Sequence, residues 1–283
     1  MKQISSTLVC LLFASLAFSQ NQSAALQAAP VSKISITTGQ KISVISDISA
    51  DASMMGMNFS NKANSNNTLE VKNITDRSFI LTNTVTHLKM DVDMMGQSTS
   101  YDSDKKEDRD SDIGKTVSET MNKPEDVTLD ILTGKEIKPA SPEKEAPGND
   151  ASGMMGMFAS GSGASIVTNA FLPVAEAKVG ATWTDSTVTK EQKTISIYTV
   201  KSIDGKNATI SLEETATSNG EIEVQGNKMQ MNTNTKTTGE IVTDISTGLV
   251  SSRNTKSEVT GNVQIMGQEV PVSVTMTATA TYK

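Results

Sequence analysis

Methionine is the residue type whose spacing in this sequence most suggests chemistry. The tetrapeptide Met-Met-Gly-Met occurs twice, at Met54–Met57 and at Met154–Met157. A thioether sulfur is a soft ligand that suits Cu(I), so the methionines of the two copies could converge on a copper site. A glycine after a methionine pair equally favours a hairpin, with methionine as a flexible apolar side chain at its tip. We favour the hairpin for the first copy and keep a copper-binding protein as an alternative.

Catalytic side chains are scarce. His87 is the single histidine, and the single cysteine, Cys10, lies near the start of the chain. A Ser-His-Asp triad would have to use His87, which no Gly-x-Ser-x-Gly motif accompanies, and a zinc site needs several histidines or cysteines. Carboxylates are plentiful, but neither spacing nor apolar surroundings single out a pair, so an enzyme using carboxylates alone is the weaker alternative. We predict no enzyme and no cofactor, with His87 on a strand face or at a bulge.

An acidic segment has a spacing that partly matches a calcium loop. Asp108, Asp110, Asp112 and Glu119 fall at ligand positions, but Ile113 occupies the position where the tight turn needs glycine. Calcium binding therefore stays open and disfavoured. The following segment, residues 114–123, is predicted to form a short helix capped by Asp112.

The first nineteen residues have the pattern of a cleaved signal peptide. Lys2 is followed by an apolar run, Leu8–Phe18, of signal-peptide length and too short for the about 20 residues that span a bilayer. Small residues at Ala17 and Ser19 predict cleavage before Gln20. Because Cys10 lies inside the run, we expect no lipid anchor, and the mature protein should be periplasmic or extracellular.

Charge and composition exclude one class of partner. The formal net charge is −7 and aromatic residues make up 4% of the chain. Nucleic-acid binding requires clusters of phosphate-reaching cations, and single strands also require aromatic platforms. The remaining partners are an apolar small molecule, a lipid or another envelope protein.

Alternation of apolar and polar residues is the main structural signal. From Val270 to Tyr282 every second residue is apolar, and mostly Ser and Thr lie between them. This is typical of a long strand with one buried face, and Pro271 suggests an edge or a bulge near its start.

Glycine-containing pairs predict the hairpins between such strands. We place two-residue loops at Gly56-Met57, Gly96-Gln97, Gly226-Asn227 and Gly267-Gln268. These loops would pair Met54 with Phe59, Met94 with Thr99, Val224 with Met229 and Ile265 with Val270. A three-residue loop at Asp204–Lys206 would pair Val200 with Ile210 and Tyr198 with Leu212.

Two pairs of similar segments indicate an internal repeat. Leu69–Leu81 is similar to Tyr198–Ile210, and Thr128–Gly134 is similar to Val242–Gly248. We predict two β halves, residues 31–138 and 171–283, joined by a Pro-, Gly-, Ser- and Met-rich linker at 139–170. The predicted fold is mainly β: an antiparallel meander curled into one or two open half-barrels, with a short helix and long polar loops.

Three stretches carry a family resemblance: "DILTGKEI" at 130–137, "FLPVAEAKVGATW" at 171–183, and residues 244–282. They resemble an uncharacterised exported β-rich family of Bacteroidota, the domain-of-unknown-function family 6263. The resemblance implies export and a β-rich fold, and it brings no catalytic residues.

The function expected from these observations is that of a non-enzymatic binding or structural protein of the cell envelope. An open antiparallel barrel offers a concave apolar face that can hold a lipid or another apolar ligand. The candidate ligand-binding residues are Trp183 and four apolar side chains of a Gly- and Ser-rich loop, which we expect to cover the mouth of the sheet. These four are Met154, Met155, Met157 and Phe158.

Overall fold

The computed structural model describes residues 34–54, 56–94, 96–118, 121–137, 166–189, 191–224, 227–265 and 268–283. Within these residues the chain forms one sheet of eleven strands, two short helices between β4 and β5, and a single helical turn at 166–168. No described helix is long and apolar enough to cross a membrane. The strands are β1 Lys41–Met54, β2 Met57–Ile74, β3 Ser78–Met94, β4 Gln97–Asp102, β5 Glu125–Asp130, β6 Thr182–Val188, β7 Gln192–Asp204, β8 Asn207–Val224, β9 Asn227–Asp244, β10 Val250–Ile265 and β11 Gln268–Tyr282; the helices are α1 Lys106–Arg109 and α2 Asp112–Val117.

The sheet consists of two antiparallel meanders joined in the middle. The strand order is β4-β3-β2-β1-β11-β10-β9-β8-β7-β6, and β5 pairs with the first part of β3 beside β4. The first and last strands are therefore central neighbours, paired from Val44 opposite Tyr282 to Met54 opposite Val272. The predicted mainly β, open antiparallel meander is confirmed.

The four glycine hairpins exist, but their predicted registers are wrong by two residues. In β1–β2, Met54 pairs with Met57 and Ala52 with Phe59. The glycine occupies the second loop position rather than the first, with φ of +75° at Gly56 and +80° at Gly96, because glycine tolerates positive φ. A shift of two residues leaves each side chain on its predicted face. The same correction applies to Met94 with Gln97, Val224 with Asn227 and Ile265 with Gln268.

The β7–β8 hairpin confirms its predicted pairs, Val200 with Ile210 and Tyr198 with Leu212, but the predicted three-residue loop is wrong, because Asp204 pairs with Asn207 and leaves a loop of two residues. The register shifts between Val200 and Ser202, which places a β-bulge at Lys201. The β2–β3 hairpin shifts in the same way between Val71 and Asn73, at Lys72. Lys72 and Lys201 hold equivalent positions in the repeated segments, so the repeat extends to the bulges.

The second repeated segment forms the same turn twice. The Gly134 N–H donates to the Asp130 carbonyl at 2.8 Å, and the Gly248 N–H donates to the Asp244 carbonyl at 2.7 Å. Both glycines have positive φ, +70° and +72°. The chain before β1 connects the two turns. The Ile34 N–H donates to the Ile131 carbonyl, and the Ser35 N–H donates to the Thr247 carbonyl. The domain limits at 138 and 171 stay a prediction, because most of the linker lies outside the described residues.

The main hydrophobic core lies at the end of the sheet where these turns meet. Fully buried side chains from distant strands pack there, among them Leu69, Phe79 and Ile241. Residues 166–174 cross this end, and the Phe171 ring meets the Phe79 ring edge-on at 5.1 Å. The Tyr282 hydroxyl donates to the Ile166 carbonyl at 3.4 Å. This crossing segment, the plug, closes one end of the curled sheet.

The acidic segment folds as two helical turns, not as an open calcium loop. Asp108 lies in α1, and its carboxylate accepts the Asp102 N–H at 2.9 Å. The predicted helix begins two residues earlier and ends earlier than expected, at Val117. Asp112 lies inside it, and the Ser111 hydroxyl caps it by accepting the Gly114 N–H at 3.0 Å. Glu119 lies outside the described residues.

Candidate ligand-binding face

The sheet curls around one face, called the inner face here. Its direction follows from the core, where inward side chains of β1–β3 meet those of β7–β9. Beyond the core, the turn after β5 reaches β6 through an ion pair between Lys135 and Asp185, with 2.5 Å between Nζ and Oδ1. The two edges of the sheet therefore approach each other without pairing strand to strand.

Apolar side chains run along the inner face of the two central strands. They alternate with outward Ser, Thr and Asp residues, as the sequence of β11 predicts. Except for Ala50, which is buried, they are half-buried. The run from Val272 to Ala278 advances six residue positions along the strand, about 20 Å at roughly 3.4 Å per residue. This set, the apolar lane, consists of Ile48, Ala50, Ala52, Val272, Val274, Met276 and Ala278.

A polar ladder on β1–β3 lies beyond the core end of the lane, where Ser65 and Asn67 of β2 pair with Ser46 and Val44 of β1. The hydroxyls of Ser46 and Ser65 lie 2.8 Å apart, Ser65 donates to Asn67 at 3.2 Å, and Asn67 donates to Asn83 at 2.9 Å. These buried groups satisfy one another, so the ladder fixes strand positions instead of offering free partners. Among the described residues, the buried Oδ1 of Asn61 has no hydrogen-bond partner.

Two glycines allow the sheet to curl on the other side of the lane. A Cβ on Gly239 would lie 2.5 Å from the Asn254 carbonyl oxygen, and one on Gly261 would lie 2.1 Å from the Asn232 carbonyl oxygen. Real Cβ atoms do not approach so closely, so these strands adopt their path because the side chains are missing. Glycines within strands are a known means of bending a sheet.

Aromatic residues and one cation line the inner face at its deep end, which is the end next to the plug. Trp183 stacks on Tyr198, with ring centroids 5.2 Å apart and an angle of 18° between planes. Arg253 lies in register with Ile241 and Ala280 on the inner face. Burial raises the pKa of Tyr198 and raises that of Tyr282 to about 12, while the Arg253 charge opposes both shifts.

The predicted site residues have separate outcomes. Trp183 lies on the inner face beside the core. Met154, Met155, Met157 and Phe158 lie outside the described residues, so their role and the copper alternative stay predictions. Arg253 was missed, because an arginine in an alternating strand is ordinarily read as solvated.

His87 belongs to a small polar cluster on β3. Its Nδ1 lies 3.3 Å from Asp104 Oδ1 and 3.3 Å from the Ser103 hydroxyl. One ring nitrogen of His87 and one carboxylate oxygen each of Asp102 and Asp104 lie within 4.8 Å of one another. The Asp104 side chain is 77% exposed, so the cluster can be a capped turn without any ion. The β2–β3 register shifts at the neighbouring Asn66–Asn67, consistent with the predicted bulge.

Comparison with known proteins gives a partial family match. Residues 167–250 match a family of unknown function (DUF6263). This stretch runs from the plug through β9 and includes "FLPVAEAKVGATW" but neither of the other two resembling stretches in full. No curated protein matches the chain. Export and a Bacteroidota origin stay predictions.

Two solved structures are weakly similar to this chain. A structure titled for lipid-protein interactions in lipovitellin has 10% identity and a TM-score of 0.49, covering 88% of this chain. This chain spans 25% of that one. An outer-membrane channel from Pseudomonas putida F1 has 7% identity and a TM-score of 0.22, covering 89% of this chain and 98% of that chain. Neither likeness says what this chain binds.

Proposed function

We propose that the protein is an exported, non-enzymatic binding protein of the cell envelope that holds an acyl chain along the apolar lane. The observation that supports this most is a half-exposed apolar strip on the inner face of a sheet plugged at one end. Covering apolar surface stabilises a complex by about 25 cal/mol per Å². A ligand lying on the lane would gain this energy.

The length of the lane suits an acyl chain. Its neighbours are mixed in polarity: on the β2 side Phe59 pairs with Ala52, and on the β10 side Ser257 pairs with Met276 and Val259 with Val274. One acyl chain occupies half of the roughly 30 Å hydrocarbon core of a bilayer. The lane, at about 20 Å, is longer than that half.

Binding to the lane can be tested with a matched pair of substitutions on β11. Val274 faces the lane and its neighbour Thr275 faces outward. Val274→Asp should weaken binding of an uncharged probe, a fluorescent long-chain fatty alcohol, about tenfold or more, because a carboxylate resists desolvation. Thr275→Asp adds the same charge outside the lane and should change affinity less than twofold. Fluorescence titration measures both.

Folding is checked separately by circular dichroism and thermal melting. If the melting temperature of Val274→Asp is clearly below that of the wild-type protein, the near-isosteric Val274→Thr is tested in its place. A smaller loss of affinity is then expected. Equal effects of the two aspartates would show that the lane is not a ligand site.

Export has its own test. The full-length protein, made in a bacterial host, should be recovered from the periplasm or medium beginning at Gln20, because the run Leu8–Phe18 has the length of a signal-peptide core. Mass spectrometry of the intact protein and its N-terminal peptide measures this. A chain that retains Met1, or carries an acyl group on Cys10, would refute the proposed location.

A further inference from the structure

Arg253 is a cation on the inner face, just below the deep end of the lane. Its strand neighbours are Ile241, which is buried, and Ala280, which is half-buried, and Ala280 adjoins Ala278 of the lane along β11. The Arg253 residue is itself half-buried. Arg253 is the one positively charged residue on the inner face among the described strand residues.

The neighbouring charges do not neutralise it. Within the described residues, no carboxylate lies within 4.0 Å of the Arg253 guanidinium. Asp185 pairs with Lys135, and the Glu214 carboxylate accepts the Ser196 hydroxyl at 2.5 Å. A partly buried cation without a counter-ion loses hydration that no ion pair among the described residues repays.

The nearest aromatic groups cannot supply the missing negative charge. Tyr198 and Tyr282 both lie within the electrostatic reach of Arg253. Burial raises the pKa of both phenols above the ordinary value of 10, so they are neutral at physiological pH. The inner face thus offers, next to the plug, a cation beside neutral phenols.

We propose that Arg253 binds the anionic head of an amphiphile, a carboxylate or a phosphate, whose hydrocarbon chain lies along the apolar lane. This inference rests on the proposed function and specifies its ligand class. A guanidinium suits either head, because its planar fork donates two parallel hydrogen bonds to two oxygens. The head is then at the plugged end, and the chain runs toward the β10–β11 hairpin.

The test compares three amphiphiles with the same chain: a fatty acid, a monoalkyl phosphate and the fatty alcohol. The wild-type protein should bind at least one anion tenfold or more tightly than the alcohol. Arg253→Gln should remove this preference and leave alcohol affinity within twofold, whereas Arg253→Lys should keep part of the preference for the anion. Whichever anion shows the larger preference identifies the head group.

Lys256→Gln is the matched control. Lys256 lies on the same strand, faces outward with a 55% exposed side chain, and pairs with Glu258. Its removal changes the net charge equally and should leave the preference intact. Equal wild-type affinity for acid and alcohol, or a preference that survives Arg253→Gln, would show that Arg253 only packs its stem on the core and refute this inference alone. Binding of none of the three amphiphiles would refute the proposed function and this inference together.

Discussion

Replacing Gly261 by alanine should destabilise the protein by about 2–4 kcal/mol, through forced overlap in a packed sheet. The added Cβ would lie 2.1 Å from the Asn232 carbonyl oxygen and 2.9 Å from the Thr233 Cα. Both atoms belong to backbone paired with β10, so a side-chain rotation cannot relieve the contact. The strands would have to separate or flatten, which would open the curl beside the apolar lane. Urea denaturation followed by circular dichroism measures the loss.

Gly220→Ala is the control within the same sheet. A Cβ there meets nothing within 4 Å, so stability should change by less than about 0.5 kcal/mol, or rise slightly because alanine suits a strand better than glycine. Equal stabilities of the two variants would contradict the close approach of β9 and β10 at Gly261.

Truncating Phe79 to alanine should cost about 3–5 kcal/mol, the range for removing a buried aromatic ring. Phe79 has no exposed surface, and its ring contacts Phe171 of the plug. The substitution removes transfer energy and edge-to-face contact and leaves a cavity between β3 and the plug. Thermal and urea denaturation of the purified protein measure the change.

Phe171→Ala should cost a similar amount, and the double variant less than the sum, because the rings share one contact. Val188→Ala provides the surface control: Val188 is 69% exposed, so its truncation should cost less than about 0.5 kcal/mol. A loss below about 1 kcal/mol for Phe79→Ala would mean that the plug does not pack against the sheet.

Local patterns in the sequence predicted the strands and their faces. In β11, alternation from Val270 to Tyr282 correctly identified the inward residues, because one buried face imposes a period of two. Pro271 lies just beyond the last pair that β11 makes with β1, at Val272, so that side is locally an edge, as predicted. Hairpin registers were wrong because glycine suits either loop position, and only backbone torsions distinguish them.

Long-range arrangements could not be predicted in the same way. Nothing local in Val44 or Tyr282 indicates that they are cross-strand partners, since the pairing depends on how both meanders curl. The site has the same limit. Trp183 was predicted as a ligand-binding residue and lies on the inner face beside the core. The significance of Arg253 depends on the absence of nearby described carboxylates, which only the three-dimensional structure shows. Alternation assigns a face but does not identify neighbours several strands away.

The pairing of β1 with β11 constrains the order in which the strands of the sheet can pair during folding. β1 can form its hairpin with β2 early, but its other edge must wait for residues 272–282, which lie in the most C-terminal of the described strands. Contacts this distant in sequence slow folding, and an exposed strand edge can meanwhile pair with another chain. A nascent chain of this design cannot complete the middle of its sheet until β11 has been synthesised. Deletion of β11 would therefore leave β1 and β10 with unpaired edges in the middle of the sheet.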